Sequence, residues 1–186
     1  MDTAGPPATS ARPHRPLARS PKPDDHQRRD GGSGLSLGGY YAPRAAGNLP
    51  EIAALSCWGA CYDVLTDIYD FYEGLVPIMR WLSGATDDAD ARRIFADFTL
   101  RDAAPRITCP IQILHSAGDE LVRVEAARRL FNEVASTDKS LTITEDPDRG
   151  GRVHCNWDDY MTAMPMMADW LVDRLGTHPT GGTGNR

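Results

Sequence analysis

Strand-like apolar runs alternate with helical periodicity from residue 52 onwards. Residues 52–57 form a short continuous apolar run, residues 107–114 give the clearest strand pattern, and residues 140–144 alternate between apolar and polar side chains. Residues 122–135 carry apolar side chains on one helical face, and residues 157–175 repeat that pattern, with Pro165 predicting a kink or a restart. Strands that alternate with amphipathic helices predict an α/β fold with a mostly parallel sheet.

The segment between the first two of these strands has a helical pattern that is rich in aromatic side chains and methionine. We expect residues 62–103 to form a helical insertion, broken near residues 84–87 and resumed over residues 88–98. Two interpretations stay open for its apolar side chains. They could cover an apolar pocket as a cap, or they could pack onto the sheet.

The two ends of the chain differ in composition from the part between them. Residues 1–31 are rich in Pro, Arg, Ser and Asp and have almost no large apolar side chain, which predicts a disordered segment. No strand is predicted immediately before residue 34, because residues 24–33 are polar or glycine. We expect a domain over residues 32–175 and a flexible tail over residues 176–186.

Composition narrows the choice of partner and compartment. The chain has 186 residues, 41% hydrophobic and 25% charged, with a net charge of −6, which argues against nucleic acid or an anionic membrane as the main partner. The sequence shows neither an export signal nor an apolar run that could span a membrane. The scattered Cys57, Cys61, Cys109 and Cys155 lack the spacing of a disulfide scaffold or a zinc site. We therefore expect a cytoplasmic protein without metal.

The candidate chemistry begins at the sequence G-L-S-L-G-G over residues 34–39. The pattern G-x-S-x-G is typical of a nucleophile elbow, a tight turn that presents Ser36 between a strand and a helix. Larger side chains at Gly34 or Gly38 are expected to collide with neighbouring backbone. In such a turn the backbone N–H of Leu37 would point at the carbonyl oxygen under attack and form half of an oxyanion hole. Gly32, Gly34 and Gly38 also resemble a nucleotide-binding glycine pattern, which stays open as a weaker alternative.

Two further polar residues follow predicted strands in the order acid, then histidine. Asp119 comes after the strand at residues 107–114, and His154 follows the loop after residues 140–144. Simpler roles stay open: Asp119 could cap a turn, with Glu120 competing as the acid, and His154 could be a solvated loop residue. His115 is a rival base by residue type, although its place at a strand end favours a packing or hydrogen-bonding role.

Three stretches together resemble a known family. They are G-L-S-L-G-G-Y-Y-A-P-R-A-A, C-P-I-Q-I-L-H-S-A-G-D-E-L-V and H-C-N-W-D, and they resemble the α/β-hydrolase serine hydrolases, in particular the FrsA-like and dipeptidyl-peptidase-like group of esterases and C–C bond hydrolases. The resemblance covers about residues 34–175 and implies a partial α/β-hydrolase fold without its N-terminal part. It also implies that no cofactor is used and that a small molecule is the substrate.

The resemblance implies a catalytic triad. Ser36 would be the nucleophile, His154 the general base and acid, and Asp119 the carboxylate that orients the imidazole. The expected reaction is hydrolysis of an ester, amide or activated C–C bond through an acyl-enzyme. A different class of function is retained as the alternative: a catalytically incompetent fragment or an interaction module, with an unpaired sheet edge that recruits a partner or a second copy.

Overall fold

The computed structural model describes residues 30–176, which form a parallel sheet with helices on both faces. The strands lie in the order β1-β2-β3-β4 and every neighbouring pair is parallel, so the predicted α/β class is confirmed. The strands are β1 (Asp30–Leu35), β2 (Ile52–Trp58), β3 (Ile111–Ser116) and β4 (Lys139–Thr144). The α-helices are α1 (Gly38–Ala46), α2 (Val76–Ser83), α3 (Asp88–Phe95), α4 (Val124–Glu133) and α5 (Tyr160–Leu175).

The first strand is a correction to the sequence prediction, which placed no strand before the elbow. The strand β1 pairs with β2 from Asp30 opposite Ile52 to Leu35 opposite Trp58. Its glycines explain why hydrophobic patterning missed it. A Cβ at Gly32 would lie 3.2 Å from a methyl group of Leu55, so the neighbouring strand supplies the side chain that fills this space. Backbone pairing needs no side chains of its own.

Residues Asp30 and Gly31 therefore belong to the sheet, although the sequence assigned them to a disordered segment. The remainder of that segment, residues 1–29, lies outside the described residues. So does the expected flexible tail, apart from Gly176, which ends α5 with a left-handed backbone conformation.

Alternate side chains of the central strands enter two separate cores. Leu55 and Ile113 join the larger core, where α1 and α4 and the segment between β2 and β3 pack together. Trp58 and Leu114 point to the opposite face and join the smaller core beneath α5. This alternation is the two-residue period of a strand that is covered on both faces. The parallel strands consequently direct their carboxyl ends toward one edge of the sheet.

The segment between β2 and β3 is closed at its base by backbone pairing. The N–H of Val64 donates to the carbonyl of Phe98 and the N–H of Leu100 to that of Tyr62, both at 2.9 Å. Above this base lie a π-helical turn, a 3₁₀ turn, α2 and α3, and α2 ends at Gly84 with a φ of 70°. The expected break near residue 84 is present. The role of residues 62–103 as a cap stays a prediction.

The last helix is shorter than the sequence predicts. It begins at Tyr160 because His154–Asp159 forms a 3₁₀ segment that contains residues with a non-helical, left-handed backbone. Pro165 lies inside α5 without a restart. This places Trp157 in the 3₁₀ segment, where its ring contacts Tyr160 edge to face.

Close packing of the backbone in the elbow depends on two glycines, Gly34 and Gly39. The sequence pattern predicted this role for Gly34 and Gly38. A Cβ at Gly34 would overlap the carbonyl of Gly38, and one at Gly39 would lie 3.0 Å from the Cα of Ala60. A Cβ at Gly38 would meet nothing within 4 Å, so the expectation of a collision there is wrong. The steric requirement lies at Gly34 and Gly39 because these residues face the backbone of a neighbouring segment.

Replacing Gly34 by Ala should therefore destabilise the protein, whereas Gly38→Ala provides a matched control. The new methyl group at residue 34 must push β1 and α1 apart, and overpacking of this kind costs about 1–3 kcal/mol. The same change at residue 38 enters open space at the start of a helix and should leave stability unchanged or slightly higher. Urea unfolding of both variants measures the difference. Equal stabilities would contradict the packing described for the elbow.

Candidate active site

Ser36 lies on a strained turn between β1 and α1. Its φ of 57° is in the left-handed region, where a residue with a side chain costs roughly 1–3 kcal/mol. The turn is fixed on both sides, because the N–H of Ser36 donates to the carbonyl of Trp58 at 2.9 Å and its own carbonyl accepts from Gly39 at 2.7 Å. The side chain is half-buried. This is the backbone geometry that a nucleophile elbow requires.

Leu37 follows the serine at the position just before α1. Its carbonyl accepts from the first turn of the helix, at 3.1 Å from the nitrogen of Tyr40. The backbone N–H of Leu37 donates to no acceptor among residues 30–176. This donor is therefore available to a group bound beside Ser36, and the positive end of the helix dipole lies at the same place.

Asp119 is buried in the loop between β3 and α4 and uses both carboxylate oxygens. Its Oδ1 accepts from the backbone N–H groups of Leu121 at 2.9 Å and Val122 at 3.0 Å. Its Oδ2 lies 2.6 Å from Nδ1 of His154. Glu120, the competing acid, is exposed. Burial opposes ionisation of Asp119, but the hydrogen bond and charge of His154 outweigh it and lower the pKa of this carboxyl.

His154 begins the 3₁₀ segment that follows the loop after β4. Burial alone would lower its pKa, but the hydrogen bonds with Asp119 and Cys155 outweigh burial and raise the pKa of His154 to about 9. Its Nδ1 faces the carboxylate, whereas its Nε2 lies 3.4 Å from Sγ of Cys155. The imidazole is thus oriented by a buried acid, as a general base must be.

A second imidazole, that of His115, also contacts the carboxylate of Asp119. His115 is fully buried at the end of β3, with Nε2 3.1 Å from the carbonyl of Val122 and 3.5 Å from Oδ2 of Asp119. Burial lowers its pKa, so this ring is held in the neutral form. Its place beneath the acid agrees with the packing and hydrogen-bonding role that the sequence favoured.

Asn156, which the sequence analysis did not identify, anchors the segment that carries His154. Asn156 accepts from Nε1 of Trp58 at 2.7 Å and donates to the carbonyl of Gly150 at 2.7 Å. Its side chain also donates to Oγ1 of Thr144, and its backbone N–H donates to Oγ of Ser116. These bonds tie the segment to the ends of β2, β3 and β4. An asparagine after His-Cys carries no motif by which pattern reading could find this network.

The structure brings the three sequence-predicted residues to one edge of the sheet by two different kinds of contact. Asp119 and His154 are joined by a direct hydrogen bond. Ser36 adjoins them through β2: its N–H binds the carbonyl of Trp58, and a Cβ on the next residue, Gly59, would lie 2.9 Å from Cε1 of His154. The Ser36 hydroxyl has no hydrogen-bond partner among the described residues.

An apolar cavity of about 460 Å³ opens beside the elbow. Leu37 lies in its wall and links it to Ser36 along the chain. The other apolar side chains come from α1 and from the insertion, namely Tyr41, Val64, Met79, Leu82, Ile94, Phe95 and Phe98. The apolar residues of the insertion fall into two groups: some line this cavity, and others, such as Tyr69 and Leu100, are fully buried in the core.

Three further observations concern the metal-ligating side chains, the helices and the cysteines of the described part of the chain. Residues 30–176 contain no group of three or more His, Cys, Asp or Glu side chains placed to hold a metal ion. None of the helices described there is long and apolar enough to cross a bilayer. All four cysteines are free.

Comparisons with known proteins find similar sequences. The model of the serine aminopeptidase S33 family matches residues 95–146, which contain β3, α4 and β4. The 2,6-dihydropseudooxynicotine hydrolase of Paenarthrobacter nicotinovorans is 30% identical over 147 residues, which are 76% of this chain and 37% of that protein.

Solved structures show the same likeness. A crystal structure of 2,6-dihydroxy-pseudo-oxynicotine hydrolase is 31% identical with a TM-score of 0.68 and covers 80% of this chain and 41% of its own. The monoacylglycerol lipase of Paleococcus ferrophilus, 19% identical with a TM-score of 0.52, covers 77% of this chain and 67% of its own and shares the fold alone.

The chain has part of the α/β-hydrolase fold and is similar to the α/β-hydrolase group of serine hydrolases, as its sequence motifs indicated. Within that group it is similar to the pseudooxynicotine hydrolases, and it spans about two fifths of their length.

The histidines make stability depend on pH in opposite directions. The folded-state pKa of His154 is about 9, above the ordinary value of about 6.5, so its contribution to stability is complete below about pH 6.5 and is lost as the pH rises toward 9. The folded-state pKa of His115 is lowered, so its contribution is lost as the pH falls below about 6.5.

We expect the wild-type protein to lose stability relative to His154→Gln as the pH rises from about 6.5 to about 8.5. Urea unfolding of both proteins across this range measures the difference in the free energy of unfolding. Cys57 and Cys61, whose thiol pKa values burial raises, remain in both proteins and act equally on each. A difference that stays constant with pH would contradict the raised pKa of His154.

Proposed function

We propose that the protein is a serine hydrolase that cleaves an ester, an amide or an activated C–C bond through a covalent intermediate on Ser36. The observation that carries this proposal is the 2.6 Å hydrogen bond between Asp119 and His154, at the sheet edge where Ser36 lies on a strained turn. Few other arrangements of acid, imidazole and hydroxyl combine these features. The activity of the pseudooxynicotine hydrolases supports the reaction class.

Each proposed residue has a defined step. The Ser36 hydroxyl attacks the carbonyl carbon while Nε2 of His154 takes its proton, and the same imidazolium then gives that proton to the leaving group. Water repeats the sequence on the acyl-enzyme and releases the acid product. Asp119 keeps its charge throughout, fixes the tautomer of His154 and stabilises the imidazolium.

The N–H of Leu37 would stabilise the oxyanion that forms in each attack. Two observations support this role: Leu37 directly follows Ser36, and the N–H of Leu37 has no acceptor among residues 30–176. Removing one donor of this kind typically costs about 10²–10³ in rate.

The apolar cavity beside Leu37 is the proposed site for the apolar part of a small-molecule substrate. Residues 62–103 would then act as a cap, because α2 and α3 supply much of the cavity wall. Such lining favours an acyl group or ketone with a hydrocarbon or aromatic body. The free cysteines are in keeping with a reducing, cytoplasmic setting.

An interaction role without catalysis is the second candidate, and one observation favours it. The outer edge of β1 is unpaired among the described residues. An open edge can pair with another strand, including that of a second copy. We base the proposal of a homo-oligomer on this unpaired outer edge of β1.

A fluorophosphonate probe separates the two candidates. Such probes phosphonylate an activated serine, so the wild-type protein should be labelled and Ser36→Ala should not, with a decrease of at least about 10³-fold. Ser33→Ala is the matched control, because Ser33 is an exposed serine of β1, the strand that leads into the Ser36 turn. A folded wild-type protein that resists labelling would favour the interaction role.

Ester chain length tests the cavity. Leu82→Ser makes the cavity wall polar, and it should lower kcat/KM for long acyl p-nitrophenyl esters by roughly 3- to 10-fold while acetyl ester hydrolysis changes little. Ile78→Ser makes a similar change on the same helix at a residue outside the cavity lining. If both variants, or neither, alter the length profile, the cavity does not bind the acyl group.

A further inference from the structure

Cys155 makes a contact that the proposed triad does not use. Its side chain is almost fully buried, and Sγ lies 3.4 Å from Nε2 of His154 and 3.5 Å from the carbonyl oxygen of Trp58. Nε2 is the nitrogen that must take the proton of Ser36 in the proposed reaction. The thiol therefore occupies the functional edge of the imidazole, while the Ser36 hydroxyl has no partner among the described residues.

The carbonyl of Trp58 brings this sulfur close to the nucleophile turn. The same oxygen accepts from the N–H of Ser36 at 2.9 Å and from the thiol of Cys155 at 3.5 Å. The following residue, Gly59, leaves room for the thiol, because a Cβ there would lie 2.7 Å from Sγ. Ser36, Cys155 and His154 are thus gathered around one peptide unit at the end of β2.

The backbone holds the thiol in place at a conformational cost. Cys155 and Asn156 have φ values of 54° and 49°, in the left-handed region that residues with side chains avoid. The hydrogen bonds of Asn156 to β2, β3 and β4 compensate for this strain. With this left-handed backbone at residue 155, the sulfur lies 3.4 Å from Nε2 of His154.

We propose that Cys155 is a positioning residue that holds Nε2 of His154 away from Ser36 in the free protein, and that the imidazole exchanges the thiol for the serine hydroxyl when substrate binds. This inference rests on the proposed function, since it assigns Nε2 a proton to accept from Ser36. It gives the active site a resting arrangement in which the base is engaged by a side chain other than the nucleophile.

The titratable groups that face His154 come from three segments. Asp119 lies on the Nδ1 side, His115 lies beneath that carboxylate, and Cys155 lies on the Nε2 side, while β2 contributes only the uncharged backbone at Gly59. Asp119 and Cys155 both raise the pKa of His154. Removing the sulfur should therefore lower this pKa and leave more neutral imidazole at pH 7.

Histidine NMR measures the contact without relying on activity. In wild-type protein the His154 ring, assigned through His154→Gln, should titrate near pH 9, and in Cys155→Ala its pKa should fall by about one unit or more. Cys155→Ser keeps a hydrogen-bonding atom and should give an intermediate value, which also tests the contact if the alanine variant is unstable. Cys57→Ala, a buried cysteine of the larger core, should leave the titration unchanged.

Fluorophosphonate labelling at pH 7 measures the release of the base. Cys155→Ala should be labelled faster than wild type, by up to about tenfold for each unit that the pKa falls. An unchanged pKa in Cys155→Ala would overturn the inference, and slower labelling despite a lower pKa would also overturn it. A lowered pKa with no labelling of either protein would instead overturn the proposed hydrolase function.

Discussion

The buried hydrogen bond between Asp119 and His154 is the interaction on which the arrangement of the candidate site depends. It joins the loop after β3 to the 3₁₀ segment after β4, in which the backbone of Cys155 and Asn156 is non-helical. Charge-assisted hydrogen bonds of this length are strong in surroundings of low polarity. The acid in turn is fixed by two backbone N–H groups, so the direction of the imidazole is set by main-chain geometry.

The two helix layers contribute to this site in different ways. The face with α1, α4 and the insertion surrounds the larger core and supplies the apolar cavity beside the elbow. The face with α5 supports the segment that carries His154. There the ring of Trp58 stacks on Tyr160, and its Nε1 donates a hydrogen bond to Asn156. The apolar cavity and the histidine segment therefore lie on opposite sides of one sheet and meet at its carboxyl edge.

The elements that the sequence predicted well are those whose side chains carry the pattern. The strands β2, β3 and β4 and the helices α4 and α5 bury apolar side chains at the expected spacing, and Asp119 and His154 follow strand or loop ends as expected. The strand β1 was missed because four of its six residues are glycine or serine and adjoining segments fill the space beside it. Hydrophobic patterning detects the side chains of a segment itself. It cannot detect side chains of neighbouring segments that pack against it.

The contacts of Cys155 could not be foreseen for a related reason. They depend on two consecutive left-handed residues, neither of which is glycine. This conformation is stable because groups distant in sequence form hydrogen bonds with Asn156. Those groups belong to three different strands. Tertiary structure here overrides local preference.

The glycine-rich β1 has one more consequence, which concerns how the protein is made. A Cβ at Gly31 would lie 2.7 Å from Leu175, so the first strand of the described chain is covered by the last turn of its last helix. Contacts between the two ends of a sequence form late, because the chain must close its longest loop to reach them. During synthesis on the ribosome, β1, which leads into the Ser36 turn, would therefore be fully packed only after α5 had emerged.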